Sequence, residues 1–592
     1  MTLMISREDL QMQALPPIRG FNTKDPPHKL PEGQGIDAWN VEIDEVVGIN
    51  KRSGFSLYNS ASALMPRYNA GTIKEITGAM VYGSGTAWTG SVCKGNDVLF
   101  MLGNSSPLYW QIATNVGTAT LSLAVAYSQT VTASSYILGP KEVGSLYNWK
   151  YGTTQKLITF AGQDLFTGNN TLTSTFTKVS AALTDYARVI AVPFQDKLYF
   201  CNGYEFKSYD GSSVAAVSGS PTPSDPKFVE VFTIGNANWL WIGGSKTAAY
   251  KSAYAFCDVN APSTWPATNV YYAGDRDGQT VTGGKPIPGG FAVFKESSIY
   301  VFSGIPGAGT QRKVVSDVGC VASQSLVAFE GGVFFVGRKS GKLGAFRFNG
   351  EGVEDLAYCI EPTLEALSQA NDDLITATIK DDKYIISATA SGGSYNTRHF
   401  TCYFKRPFKG NSKPYFPWVR GNRGYASLTN FDVSGVNYLL AGSPTNGFVN
   451  VEAQTDSDNT TDNIFGATAA INSYVDTQWF NMGDLTAKKE LLRAYLDLTE
   501  SGSWNLDLYF YKDFQTYGAD KYQISLGSTE LTWAEIVYLQ TVWQSKTDKA
   551  IEEVLFRFPA YATHSRFRWA NSSAAQPFTV YPMTIEYRKE NR

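Results

Sequence analysis

The chain has 592 residues, a formal net charge of −3, 54 glycines, 34 tyrosines, 34 phenylalanines and 13 tryptophans, and only 17% charged residues. This composition excludes a disordered or coiled-coil protein, which would be charge-rich and aromatic-poor. It also leaves no strong basic field for holding nucleic acid by phosphate neutralisation, although a conduit through which DNA slides would need none.

The first segment, "MTLMISREDLQMQALPP", carries Glu8 and Asp9 where a signal peptide needs an apolar run. No window along the chain approaches the ~20 apolar residues of a membrane helix. Between Arg19 and Phe55 the chain is polar and rich in proline and glycine. Pro26, Pro27 and Pro31 fix φ and push each preceding residue towards extended conformations, so this part is not helical. From Ala38 onward Trp39, Val41, Ile43 and Val46 alternate with polar residues and can anchor on an existing sheet. Residues 1–60 are therefore expected to form an extended strap that ties two β-rich units together.

From Asp97 one pattern recurs: a short apolar strand, a Gly-containing turn and a second, aromatic-rich strand. Copies begin at Asp97, Gln155, Asp196, Asn238, Gly289, Gly331, Asp382 and Asn437, separated by 41 to 58 residues. This is close to the ~40–50 residues of a β-propeller blade. A blade cannot bury both of its faces alone, so copies must stack radially. The expectation is a β-propeller over residues 61–465, with the uneven spacing allowing a hairpin outside the ring.

Beyond about Ile471 the strands lengthen and alternate more strictly. In "WNLDLYFYKD", Trp504, Leu506, Leu508 and Phe510 share one face, and Asn505, Asp507, Tyr509 and Tyr511 the other. A separate C-terminal β-sandwich is expected over 466–592. Helices are expected at 361–371 and 531–544, the second with Thr532 and Glu535 at capping-box spacing. The fold class is all-β: a propeller core plus a platform-like β-sandwich.

Chemistry is hard to find. Cys93, Cys201, Cys257, Cys320, Cys359 and Cys402 are scattered and match no zinc spacing, so they are expected to be buried free thiols. His28, His399 and His564 lie in different regions, and no G-x-S-x-G elbow accompanies them. "GIPGAGT" at 304–310 lacks the lysine of a phosphate loop. "DRDG" at 275–278 and "DSDNTTDN" at 456–463 (Asp456, Asp458, Asp462) fall short of a Ca²⁺ loop. "SYDGSS" at 208–213 only approaches the S-x-D-x-G-x-x-W turn of sialidase blades, and paired glycosidase carboxylates cannot be read from sequence. No catalytic, cofactor or metal residue is expected, and the chain is read as a non-enzyme.

The strap contains Gly20-Phe21-Asn22, Asp25-Pro26-Pro27, Leu30-Pro31, "DAWNV" at Asp37–Val41, and a Gly48-to-Gly54 turn with "KRSGF". This set resembles the N-terminal signature of virion proteins of short-tailed bacteriophages. These are the tail nozzle proteins, or tail tubular protein B, and the related packaged-DNA stabilisation proteins. The C-terminal "FTVYPMTIEYR" is similar to the family's last strands. The resemblance implies a structural protein without cofactor, assembled in the host bacterial cytoplasm and located in the virion tail. There a homohexameric ring would sit below the portal and the head–tail adaptor protein, alongside tail fibres or spikes. It would retain genomic double-stranded DNA and conduct it, non-specifically, on ejection. The rival reading is a host-glycan-binding tail adhesin or depolymerase on a propeller scaffold.

Overall fold

The computed structural model describes residues 10–589, apart from 17, 45–47, 59–64, 91–92, 94–96, 102–107, 128–131, 173–174, 181–182, 185–187, 275–276, 410–413, 446, 453–469, 499–504, 526–549 and 574–575. The fold is all-β. Seven antiparallel sheets follow one another from Val143 onward, each taking its strands largely in chain order. The first contains Val143–Tyr151, Thr154–Ala161, Asp164–Asn169 and Thr177–Ser180. The innermost strands of the next six are Ile190–Phe194, Phe228–Ile234, Val281–Ile287, Val327–Phe329, Thr376–Lys380 and Ser427–Val433. Each lies against the next and the last lies against the first, so the sheets stand in a ring as seven propeller blades.

The apolar runs seen in the sequence are the second strands, which pack on both faces. Gly290–Lys295 is buried throughout, and Lys383–Thr389 in all but its first residue. Between neighbouring blades lie separate hydrophobic layers. That between blades three and four stacks Trp241 on Phe291, with ring centroids 4.4 Å apart. The seam between blades seven and one needs the smallest residue. A Cβ on Gly442 would meet the Val143 carbonyl oxygen at 2.6 Å, and the Ser427 hydroxyl donates to that oxygen at 2.7 Å.

Blade seven takes its outer strand from the start of the chain. Phe55–Leu57 pairs antiparallel with Val449–Glu452, matching Glu452 to Phe55 and Asn450 to Leu57. Backbone hydrogen bonds between the two ends of the ring thus close it.

The copy beginning at Asp97 lies outside this ring. Val98–Met101 and Leu108–Gly117 belong to a six-stranded sheet with its own core, built from Ile73, Val81, Trp88, Leu99 and Leu121 among others. The seven copies from Gln155 to Asn437 supply the second and third strands of the seven blades.

The C-terminal strands form two sheets, and neither is separate from the strap. Lys489–Leu498 and Thr579–Lys589 are joined by the strap strands Leu10–Ala14, Val41–Ile43 and Ile49–Lys51. The other sheet, with Ser473–Asp476, Ser565–Asn571, Asn505–Lys512 and Asp520–Ser525, runs on through the strap into blade six as one nine-stranded sheet. Leu506, Leu508 and Phe510 face the core as alternation predicts, and Trp504 lies outside the described residues. Tyr511 departs from the expected exposed face: it is buried beneath the Arg566 guanidinium, 3.9 Å from its ring centroid.

The helix expected at 361–371 is shorter, Glu361–Glu365 followed by 3-10 turns over Gln369–Leu374. Pro362 suits the first turn, but Asn371 leaves helical geometry at φ −122°. The helix expected at 531–544, with Thr532 and Glu535, lies outside the described residues, as does the anchor Val46.

Candidate functional site

The axis of the ring is the first place to look for chemistry. One cavity of about 140 Å³ is lined by residues of all seven blades. It is closely crossed by side chains. Gln324, leading into blade five, donates its amide to the Ser145 hydroxyl at 2.7 Å and to the Gly144 carbonyl at 3.1 Å. Tyr147 donates to the Val189 carbonyl at 2.7 Å, and burial pushes its phenol above the usual range. Lys285 of blade four pairs with Glu230 of blade three. Beside the cavity, Arg188 donates to the Leu374 carbonyl and lies 3.2 Å from Glu142. What remains has room for a few waters. A duplex, whose major groove alone is about 12 Å wide, has no path along the bore of one chain.

The second place is the joint between ring and C-terminal sheets, where the strap lies. Asp37–Trp39 pairs in parallel with the blade-six strand Trp418–Gly421, matching Trp39 to Arg420. On its other edge it pairs antiparallel with Ser473–Asp476. The Asp37 carboxylate accepts two bonds from Arg420, at 2.8 and 2.9 Å, and one from the Tyr474 hydroxyl at 2.8 Å. Burial, with the Asp37 charge adding, pushes the Tyr474 phenol up.

Each short motif in the strap has a local cause. Gly20 has φ +111°, and a Cβ there would sit 2.5 Å from the Trp418 nitrogen, so no other residue fits. Phe21 is buried beside it, and its N–H donates to the Trp418 carbonyl at 3.1 Å. The Asn22 side chain accepts from the N–H groups of Lys24 and Asp25, at 2.8 and 3.0 Å, turning the chain before the prolines. Lys24 pairs with Glu361 and lies 3.6 Å from the Tyr358 ring centroid. Further on, Val41 and Ile43 are buried anchors, and the Ile43 N–H donates to the Tyr403 hydroxyl at 2.9 Å.

The residues weighed for catalysis do not assemble a reaction centre. His399 is buried in blade six with Nδ1 3.2 Å from the Arg423 carbonyl. His28 and His564 are brought together, which the sequence did not suggest, but through a ring: both pack on Phe514, with centroids 6.0 and 4.7 Å away. Burial, then Lys489 and His28, lowers the His564 pKa. Asp210 of "SYDGSS" accepts from the N–H groups of Ser212 and Ser213, which hold it below the usual carboxylate range in an ordinary turn. Asp277 of "DRDG" binds the buried Lys295 ammonium at 2.5 and 2.7 Å. Asp275 and "DSDNTTDN" lie outside the described residues.

Among the described residues no group of three or more His, Cys, Asp or Glu is placed to hold a metal ion. All six cysteines are buried and free, and burial pushes the Cys320 and Cys359 thiols up to about 12. Sequence reasoning missed the Gln324 crossing and a buried ion cluster at Arg67, whose partners Asp97 and Asp164 are 30 and 97 residues away. No local pattern marks either.

No family model and no curated protein matches the chain. Solved structures with a detectable likeness include BBS1N in complex with ARL6DN, at 12% identity over 53% of this chain and 93% of that one, TM-score 0.35. The Neurospora crassa Pan2 WD40 domain is similar at 8% identity over 53% and 90%, TM-score 0.34. PorZ, a surface component of the type-IX secretion system of Porphyromonas gingivalis, is similar at 10% identity over 70% and 57%, TM-score 0.24. At these scores the architecture rests on the sheets and their order.

Proposed function

We propose that this chain is a structural virion protein of a short-tailed bacteriophage, a subunit of the tail nozzle. In this reading six copies form the distal ring beneath the portal and adaptor, retain the packaged DNA and conduct it on ejection. The observation that carries the reading is the position of the signature-like strap. Gly20-Phe21-Asn22 and Asp37–Val41 are the residues that join the blade ring to the C-terminal sheets. The segment resembling the nozzle family is therefore the one on which the two-part architecture depends. The crossed bore fits the same reading, with DNA passing between copies rather than through a blade ring.

Gel filtration with negative-stain microscopy tests the proposal, on the purified chain alone and with the adaptor protein. The expected result is a sixfold ring whose central hole admits duplex DNA. A chain that stays monomeric in both conditions, or that releases oligosaccharides from capsule or lipopolysaccharide, overturns it.

A further inference from the structure

The face of the nine-stranded sheet that carries Trp39 is a row of guanidinium groups laid on aromatic rings. Across the strands, Trp39 lies opposite Arg420 on one side and Tyr474 on the other. The Arg568 guanidinium follows, 4.5 Å from the Tyr474 ring centroid. Arg420 and Arg568 are each neutralised by a bidentate carboxylate: Asp37 takes the first, and Asp476 takes the second through two bonds of 2.7 Å.

Arg398 breaks this pattern. Its guanidinium lies 5.1 Å from the Trp39 ring centroid, and no carboxylate among the described residues pairs with it. It lines a pocket of about 660 Å³ at the junction of strap and blade six. The Thr363 and Ser391 hydroxyls and the apolar Pro362 and Leu367 share that lining.

We infer that this pocket binds the carboxylate of an aspartate or glutamate side chain carried on an extended segment of another protein. A guanidinium resting on an indole ring loses little freedom and keeps its planar fork of N–H donors available, the geometry that a carboxylate meets bidentately. Nucleic acid or polyphosphate would call for several uncompensated cations, and the neighbouring Arg420 is already neutralised by Asp37. A sugar would call for an open aromatic face. Trp39 is flanked by guanidinium groups 5.1 and 5.4 Å from its centroid, and Phe400 is buried. A peptide fits what is left: the Ser391 hydroxyl and the Thr23–Thr363 hydroxyl pair, 2.8 Å apart, to partner its backbone, apolar surface for its stems, and a volume within the range of ordinary ligand pockets. This inference rests on the pocket and holds or fails independently of the virion reading.

The test is fluorescence anisotropy of a labelled hexaglutamate peptide titrated with the full-length chain. Unlabelled hexaglutamate, oligogalacturonate and inorganic phosphate serve as competitors. Saturable binding is expected, with competition by hexaglutamate and a loss of about tenfold in affinity in Arg398→Gln. Arg398→Lys, which keeps the charge but not the fork, should fall between, and Lys339→Gln on blade five should bind as the parent does. Circular dichroism verifies that each variant is folded. Absence of saturable binding, or equal affinity in Arg398→Gln, overturns the inference. Tighter competition by oligogalacturonate makes the pocket a sugar site, and tighter competition by phosphate a general anion site; either result also overturns it.

Discussion

At the scale of single residues, the strongest constraint is Arg67. Its guanidinium is fully enclosed and bonds Asp97, which leads into the six-stranded sheet, and Asp164 of blade one. Burial alone would lower its pKa, but the two carboxylates raise it, so the cation is locked in place. Arg67→Ala removes the buried cation that Asp97 and Asp164 share, leaving Lys178, 3.2 Å from Asp164, at the rim, at a cost of about 3 kcal/mol. Amide exchange in Val98–Met101 and Asp164–Asn169 should accelerate by about 100-fold or more, and unchanged exchange would contradict this account.

Glu42 offers a pH-dependent counterpart on the strap. Burial would raise its pKa, yet the Lys383 ammonium, 2.6 Å away, holds it below the usual carboxylate range. A carboxylate depressed in the folded state adds stability that is complete above its unfolded pKa of about 4.3 and is lost as pH falls through the folded value. Glu42→Gln should therefore show a shallower loss of thermal midpoint than the parent between about pH 5 and pH 3. Parallel profiles would show that the pair contributes nothing.

At the scale of elements, two truncations separate the roles of the strap. Removing residues 1–36 takes away Leu10–Ala14 and the Gly20 contact with Trp418 but spares Phe55–Leu57, so the blades stay closed while the joint to the C-terminal sheets loosens. Removing residues 1–58 also deletes the outer strand of blade seven. Limited proteolysis should yield a protected blade core from the first truncation and not from the second; equal protection would mean that ring closure does not depend on this strand. The strap's extended character was legible because prolines and alternation act locally. Its pairing partners were not, since Trp39 meets Arg420 and Tyr474 from hundreds of residues away. The blade runs were legible because a central strand packed on both faces reads as continuous apolar sequence. The same texture misleads at Asp97: Val98–Met101 is also a central strand, but of a different sheet. Periodicity reports how a strand is buried and is silent on which sheet buries it. The Trp39–Arg398 pocket was invisible for a related reason, since strap, helix and blade six meet there only after folding.

At the scale of the whole molecule, strands from early and late in the sequence share their sheets. Leu10–Ala14 and Ile49–Lys51 both pair with Thr579–Lys589, and Phe55–Leu57 waits for Val449–Glu452. On a ribosome this means that Val41–Ile43 and Ile49–Lys51 can pair with each other at once, whereas Leu10–Ala14 and Phe55–Leu57 emerge long before their partners. At 5–20 residues per second, roughly 30 to 120 s pass before the last strand is made. Leu10–Ala14 lacks its partner for that whole interval, and Phe55, buried at the end, stays open to solvent and to other nascent chains until Val449–Glu452 is made. Topology of such long range closes slowly. The architecture thus ties protection of the strap to late synthesis: until Val449–Glu452 and Thr579–Lys589 exist, Phe55–Leu57 and Leu10–Ala14 are unsheathed, a ready substrate for chaperone capture or proteolysis.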